Sequence, residues 1–387
     1  MMSSRDQVSK GGEAEGCGPD VRIRSAAFDA GAIEAILAQE MEETQAPGAV
    51  LVIVSAGGVL YARGHGTAHR ANGSAGSVTT DTLFRIGSVT KMFISATAVL
   101  LDAAGALGLD CPIGALVPDL AGRRLKATAT VRLLLNHHAG MIERLTDNGP
   151  PDDGQLARQV LAYGDDMQVL PAGSAFCYSA PGYNLAGLAI ERASGLPFAD
   201  AVAQYLTDPL GMNRSGFRPG KVRQGDYTEG HRIDSDGVVC TQDWVDNPGD
   251  WPDGYLATSG SEMCRFLRTM LGHGTLDGQQ LLAPEVVKTL LSPQVRLQLE
   301  SNEAQDIGSG LSYGFGWLHG RYRGARLLYH SGHITGFGAK AILVPEHDLA
   351  AFAATSQDNQ HLPKTLRAVL EALFPLAPIA ASRDTGI

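Results

Sequence analysis

The chain has 387 residues, 44% of them hydrophobic and 19% charged, enough to bury a large core in one domain or two closely joined ones. Its net charge of -10, with no basic arm or run of lysines, argues against nucleic acid or an anionic membrane as a partner. The opening MMSSRDQVSKGGEAEGCGPD has no apolar core behind a basic start, and no apolar run approaches the roughly 20 residues of a membrane span. Five scattered cysteines (Cys17, Cys111, Cys177, Cys240, Cys264), without a C-x-x-C pair, predict neither a disulfide framework nor a zinc site. These features together predict a cytoplasmic protein.

In chain order, residues 1–25 read as a loose polar tail. A helix is predicted in FDAGAIEAILAQEMEE, then a β-hairpin in GAVLVIVSAGGVLYARGHGTAH, closed by a Gly-Gly turn. Apolar residues at helical spacing predict a mostly buried helix from Ser88 to Leu107. Further helical units follow. ATVRLLLNHHAGM has Thr130 as N-cap and Gly140 as its stop; SAPGYNLAGLAIERASG has Pro181 near its start and Gly195 past its end; GSEMCRFLRTMLGHG is another. Beyond Gly310 the pattern becomes short β-runs, YGFGWLHG, ARLLYHSG, GFGAKAILVP and LAAFAATS, and the helix LPKTLRAVLEALF closes the chain.

β-Structure thus lies at both ends and helices in the middle. The expected fold is α/β of the α+β type: a mainly antiparallel sheet flanked by the terminal helices (residues 26–95 with 305–387), and a mostly helical region (96–304) inserted between. A cleft between sheet and helical region is the natural place for a site.

Within FRIGSVTKMF, Ser88 and Lys91 lie one turn apart on one helix face, and the helix start offers amide donors to an oxyanion. A buried lysine with a lowered pKa can take the proton of a serine hydroxyl. The plain alternative is an N-cap serine with a solvated lysine. Against that alternative, Lys91 is followed by MFISATAVLL, where a charge needs a reason. Tyr178, in PAGSAFCYSAPGYNLAGLAIERASG, and His330-Ser331-Gly332, in LLYHSGHITGFGAKAILVP, are the next candidates; alone they read as a packed aromatic and a strand-end histidine. No G-x-S-x-G is present, and Gly64-His65-Gly66 lacks the third glycine of a dinucleotide loop. His137 and His138 are adjacent, so they do not converge on one metal and read as helix-end packing. No cofactor or metal is expected.

The order S-x-x-K, then tyrosine, then a His-x-Gly on a strand resembles the serine β-lactamase and penicillin-binding-protein superfamily. TLFRIGSVTKMF, ATVRLLLNHHAGM, YLTDPLGM, GYLATSGSEMCRFLRTML, YGFGW and HSGHITGF are similar to its class C-like branch, which includes family VIII carboxylesterases, D-aminopeptidases and transesterases. The matching phrases run in the branch's order over roughly residues 30–375. The resemblance implies Ser88 as nucleophile, Lys91 as its proton partner and Tyr178 as a phenolate-type base. It also implies that His330 hydrogen-bonds Tyr178 or substrate, that Ser331 and Gly332 line the site, and that the N–H groups of Ser88 and His333 form an oxyanion hole.

Two departures bear on substrate. The branch's Tyr-x-Asn is Tyr178-Ser179-Ala180, so the amide that would hold Lys91 and an acylamino group is absent. Its Lys-Thr-Gly is His330-Ser331-Gly332, so the lysine that would bind a β-lactam carboxylate is absent too. The expected function is a serine acyl-enzyme hydrolase acting on a small-molecule ester or amide. Transfer to an alcohol or amine acceptor, and a non-catalytic binding protein on the same fold, remain as alternatives.

Overall fold

The computed structural model describes residues 29–144, 149–235, 237–241, 244–297 and 311–374; the tail expected over residues 1–25 lies outside them. A nine-stranded sheet runs, edge to edge, Val295–Arg296, Ser312–Tyr313, Leu318–Tyr322, Ala325–Ile334, Phe337–Val344, Leu349–Thr355, Gly48–Ser55, Gly58–His69 and Ala75–Ser77. Every neighbouring pair is antiparallel. The two chain ends meet at its centre, where Ala49 pairs with Thr355 and Val54 with Ala350.

The apolar run GAVLVIV does not alternate with polar residues because both faces of the sheet are covered. Leu51 and Ile53 face the terminal helices Ala30–Glu43 and Pro363–Leu373 through Leu37, Leu366 and Val369. Val50, Val52 and Val54 face the other way, into the core shared with the helical region, and helix Gly260–Leu271 sits directly on Val50 and Val52. The terminal helices are also clasped by a buried carboxylate. Glu40 accepts from the N–H groups of Lys364 (2.9 Å) and Thr365 (2.8 Å) and from the Thr365 hydroxyl (2.6 Å), satisfying donors that a helix start leaves open.

Chain punctuation explains the helical region. Thr130 Oγ1 caps Val131–Leu135 through Leu133 N–H, Ser179 Oγ caps Ala180–Ser194 through Gly182 N–H, and Ser259 Oγ caps Gly260–Leu271 through Glu262 N–H. Gly195, left-handed at φ 69°, ends the second of these. The strands of the nine-stranded sheet pause at Ser77 and resume at Val295, and the helix Thr90–Ala103 lies between them in the chain. Ser88 itself lies on a short 3-10 turn, Gly87–Val89, that leads into this helix. Among the described residues no helix is long and apolar enough to cross a membrane.

Sheet and helical region meet backbone to backbone beside Ser88. Gly87 has φ +52°, and a Cβ there would lie 2.4 Å from His333 N; a Cβ on Gly332 would lie 1.9 Å from Ile86 O. Replacing Gly332 with alanine should therefore force strand and turn apart and destabilise the protein by at least about 1–3 kcal/mol, read as a lowered melting temperature. Gly76→Ala, on an exposed strand with open space at its Cβ, should melt within a degree or so of wild type.

The fold also buries neutral histidines. His319 is 5% exposed, neither ring nitrogen has a hydrogen-bond partner among the described residues, and burial pushes it down to about 4. The unfolded chain protonates this ring near 6.5 and the folded chain only near 4. Its contribution is therefore present above about 6.5 and lost as pH falls toward 4. Melting temperatures measured across that window should fall with pH, and His319→Leu should make the fall shallower.

Candidate active site

Ser88 and Lys91 stand together as the spacing predicts. Lys91 Nζ donates to Ser88 Oγ at 3.2 Å and to the backbone carbonyl of Asp253 at 2.6 Å. The lysine is only 1% exposed, inside a helix whose neighbouring residues are all buried. Two phenol rings complete its surroundings, with Nζ 5.0 Å from the centroid of Tyr178 and 5.2 Å from that of Tyr183. The position that could have carried an amide, Ala180, carries none; the Asp253 carbonyl, brought in by the short helix Trp251–Gly254, holds the ammonium. The Ala180 N–H donates to the Glu143 carboxylate at 2.6 Å.

The sequence reading gave Lys91 a lowered pKa, and the structure reverses it. Burial does pull the value down, but Tyr178, Asp253 and Glu143 outweigh burial, and the ammonium is held above its ordinary value. The neighbouring Asp253 carboxyl is pushed up to about 7 by burial, with Lys91 opposing the shift.

Tyr178 is half-buried and lies close to both Lys91 and the ring of His137, whose centroid is 4.1 Å from its own at an interplanar angle of 31°. Behind it are two buried phenols. Tyr183 donates to Leu135 O at 2.6 Å and lies 3.1 Å from Ser95 Oγ, and Tyr313 lies 3.0 Å from His330 Nε2. Burial raises the pKa of both, so both remain neutral hydroxyls.

His330 does not take the place expected of it. It is 4% exposed, and its ring centroid is 6.4 Å from that of Tyr178. Nδ1 lies 2.6 Å from Ser331 O, which can only accept, so Nδ1 carries the proton and Nε2 accepts from the Tyr313 hydroxyl. Burial, reinforced by Lys91, pushes the ring down to about 3, and it is neutral. With both nitrogens engaged inside the protein, His330 offers no hydrogen bond to Tyr178 or to substrate; the buried Tyr313 hydroxyl is the partner that turned it inward.

Gly332 and His333 run against the Ser88 turn, with the His333 backbone over Gly87. The His333 side chain points outward to Asp358, Nε2 to Oδ1 3.2 Å. Ser331 Oγ is buried without a partner among the described residues. Sequence reasoning missed three contributors: the Asp253 carbonyl, the Tyr313 hydroxyl and His137. The first is a backbone atom and left no local signal; the second is the tyrosine of YGFGW, a phrase already singled out, but its contact with His330 is set by the arrangement of separate strands. His137 lay in a phrase already singled out, ATVRLLLNHHAGM, and was dismissed because only metal binding was weighed for it.

A model of the family described as Beta-lactamase matches residues 33–374. Penicillin-binding protein 4 of Amycolatopsis lactamdurans is 29% identical over 321 residues, covering 81% of this chain and 82% of that protein. Esterase EstB of Burkholderia gladioli is 28% identical over 333 residues, covering 76% of this chain and 80% of that protein. Among solved structures, the octameric penicillin-binding protein homologue from Pyrococcus abyssi superposes with a TM-score of 0.75 at 25% identity, over 89% of this chain and 77% of its own. A class C β-lactamase from Rhodobacter sphaeroides shares the fold, with a TM-score of 0.71 at 21% identity over 89% and 99% of the two chains. The chain belongs to the Beta-lactamase family, within the serine β-lactamase and penicillin-binding-protein superfamily.

Proposed function

We propose that this protein is a serine acyl-enzyme hydrolase that cleaves an ester or simple amide of a small molecule through an acyl-Ser88 intermediate. The observation that carries the reading is the Lys91 ammonium, buried and 3.2 Å from Ser88 Oγ, with the centroid of the Tyr178 ring 5.0 Å from the same nitrogen. A buried charge aimed at a serine hydroxyl is costly for a purely structural purpose. The esterase among the relatives supports the same chemistry.

The steps follow from the charges. Lys91 stays an ammonium throughout and orients Ser88 Oγ. A phenolate on Tyr178, facing that ammonium, takes the Ser88 proton as Oγ attacks the carbonyl carbon. Negative charge on the carbonyl oxygen is met by the N–H groups at the Ser88 turn and at His333, brought close by Gly87 and Gly332. Tyr178 then returns the proton to the leaving alkoxide or amine. Water, deprotonated by the same phenolate, attacks acyl-Ser88, and Tyr178 then gives that proton to Oγ as the acyl–oxygen bond breaks, which releases the acid and restores both the serine and the phenolate.

Substrate class follows from what the walls lack. Ala180 offers no side-chain amide to an acylamino group, and the inward His330 offers no cation to a substrate carboxylate. Both absences favour an ester or simple amide over a β-lactam.

A fluorophosphonate incubated with the protein should add one adduct by intact mass, and Ser88→Ala should abolish it. No adduct on the wild type, or the same adduct on the variant, refutes the nucleophile. Nitrophenyl ester turnover should yield free acid whether or not amines and alcohols are added; faster turnover with a new acylated product would make the protein a transferase. Tyr178→Phe should lower kcat by at least about 100-fold, the usual contribution of general acid–base catalysis, and near-normal turnover would remove Tyr178 as the base.

A further inference from the structure

Helix Val131–Leu135 ends at Asn136, and the chain then turns sharply at His137, which has φ +60°, a left-handed backbone that only a few per cent of non-glycine residues adopt. His137 is 1% exposed and contacts the segment carrying Tyr178 at three points. Its backbone carbonyl accepts from Cys177 N–H at 2.7 Å, and its Nδ1 accepts from Ser179 N–H at 3.0 Å. Its ring lies against the Tyr178 ring, with centroids 4.1 Å apart. The residues on either side of Tyr178 are thus both bonded to this one histidine, and the phenol between them rests on its face.

We propose that His137 is the positioning residue for Tyr178, a neutral imidazole that fixes where the phenol stands relative to Lys91 and Ser88 and carries no proton itself. The inference rests on the reading of Tyr178 as the base of the proposed hydrolase. Because Nδ1 accepts the Ser179 N–H, the ring proton is on Nε2, and that N–H has no hydrogen-bond partner among the described residues. Adding a second proton would require removing Ser179 N–H from Nδ1. Burial first, then the positive charge of Lys91 and the nearness of His330, also hold the ring well below the ordinary histidine value. A basic imidazole 4.1 Å from the base would compete with it for the Ser88 proton, and this one does not.

Three other walls keep the ring from tilting. Tyr313 lies 4.9 Å away, Tyr183 5.1 Å and Phe176 5.7 Å, all between ring centroids. Tyr183 is itself fixed by Leu135 O and Tyr313 is tied to His330. The inward-turned His330 is therefore joined to Tyr178 through two intermediaries, Tyr313 and then His137.

Asparagine separates acceptor from ring, because it tolerates a left-handed backbone and its Oδ1 can stand where Nδ1 stands. Phenylalanine keeps the ring and removes the acceptor. With a nitrophenyl ester, His137→Phe should lower kcat about 10- to 100-fold, the scale of loss when a reacting group moves by about 1 Å, with KM changed less than about 3-fold. His137→Asn should recover activity to within about 5-fold of wild type. If His137 acts only through Tyr178, the double variant H137F/Y178F should be no slower than Y178F alone. Melting curves establish that each variant is folded; should H137F fail to fold, His137→Gln replaces it, since its longer side chain carries the acceptor away from Ser179 N–H.

The proposal is overturned if H137F turns over within about 2-fold of wild type while Y178F is inactive. It is equally overturned if folded H137N is as slow as H137F, or if the two losses multiply in the double variant. Near-normal turnover by Y178F is a different result, the failure of the base assignment itself, so the two failures are read on different variants.

Discussion

A lysine charge inside an apolar helix is the constraint around which the rest is arranged. Moving an unpaired ammonium out of water costs several kcal/mol, so Lys91 can stay charged only where oxygen atoms and ring faces replace its hydration. The structure supplies one carbonyl, one hydroxyl and two phenol rings, from Asp253, Ser88, Tyr178 and Tyr183. These come from three separate stretches of chain, and each must be held in place by its own neighbours. The turn at Gly87, the short helix Trp251–Gly254 and the cap at Ser179 all serve that end. Neutral groups then fill the second layer, because another cation would repel the first. His137 and His330 are accordingly buried, bonded and uncharged.

The electrostatic division of labour follows from the same constraint. Four ionisable rings, two phenols and two imidazoles, surround the half-buried Tyr178. Burial raises the phenols Tyr183 and Tyr313 and lowers the imidazoles His137 and His330, so it takes all four out of proton exchange near neutral pH. Tyr178 is the aromatic group that both faces the ammonium and opens to a substrate. In the proposed mechanism Tyr178 is thus the one of these rings left to act as the base. Asp253, whose carboxyl sits near 7, is the remaining group in the neighbourhood whose charge changes close to neutrality.

Local chemistry made much of the architecture legible. The cap residue Thr130, Pro181 near a helix start, the stop at Gly195 and the β-runs after residue 310 are short-range signals, and the structure has elements at each. The unbroken apolar run at Gly48–Ser55 is the mark of a strand covered on both faces. Contacts between residues far apart in sequence were not legible. Spacing put Ser88 and Lys91 on one face but could not show that an Asp253 carbonyl would keep the lysine charged, and so the sign of its shift was misread. It located His330 on a strand but not which way the ring would turn, which depends on Tyr313 two strands away. His137 was visible as a residue and invisible as a contact, because its partners lie about forty positions downstream.

The pairing of the two chain ends at the centre of the sheet has a consequence for biosynthesis. Ala49 finds its partner only when Thr355 has been made, so the middle of the sheet cannot close on the ribosome until that residue has emerged. A chain stopped short of the strand Ala325–Ile334 would contain Ser88, Lys91 and Tyr178 yet lack the His333 backbone that lies against the serine's turn. The serine's turn therefore gains the strand that packs against it only after residue 333 has been made.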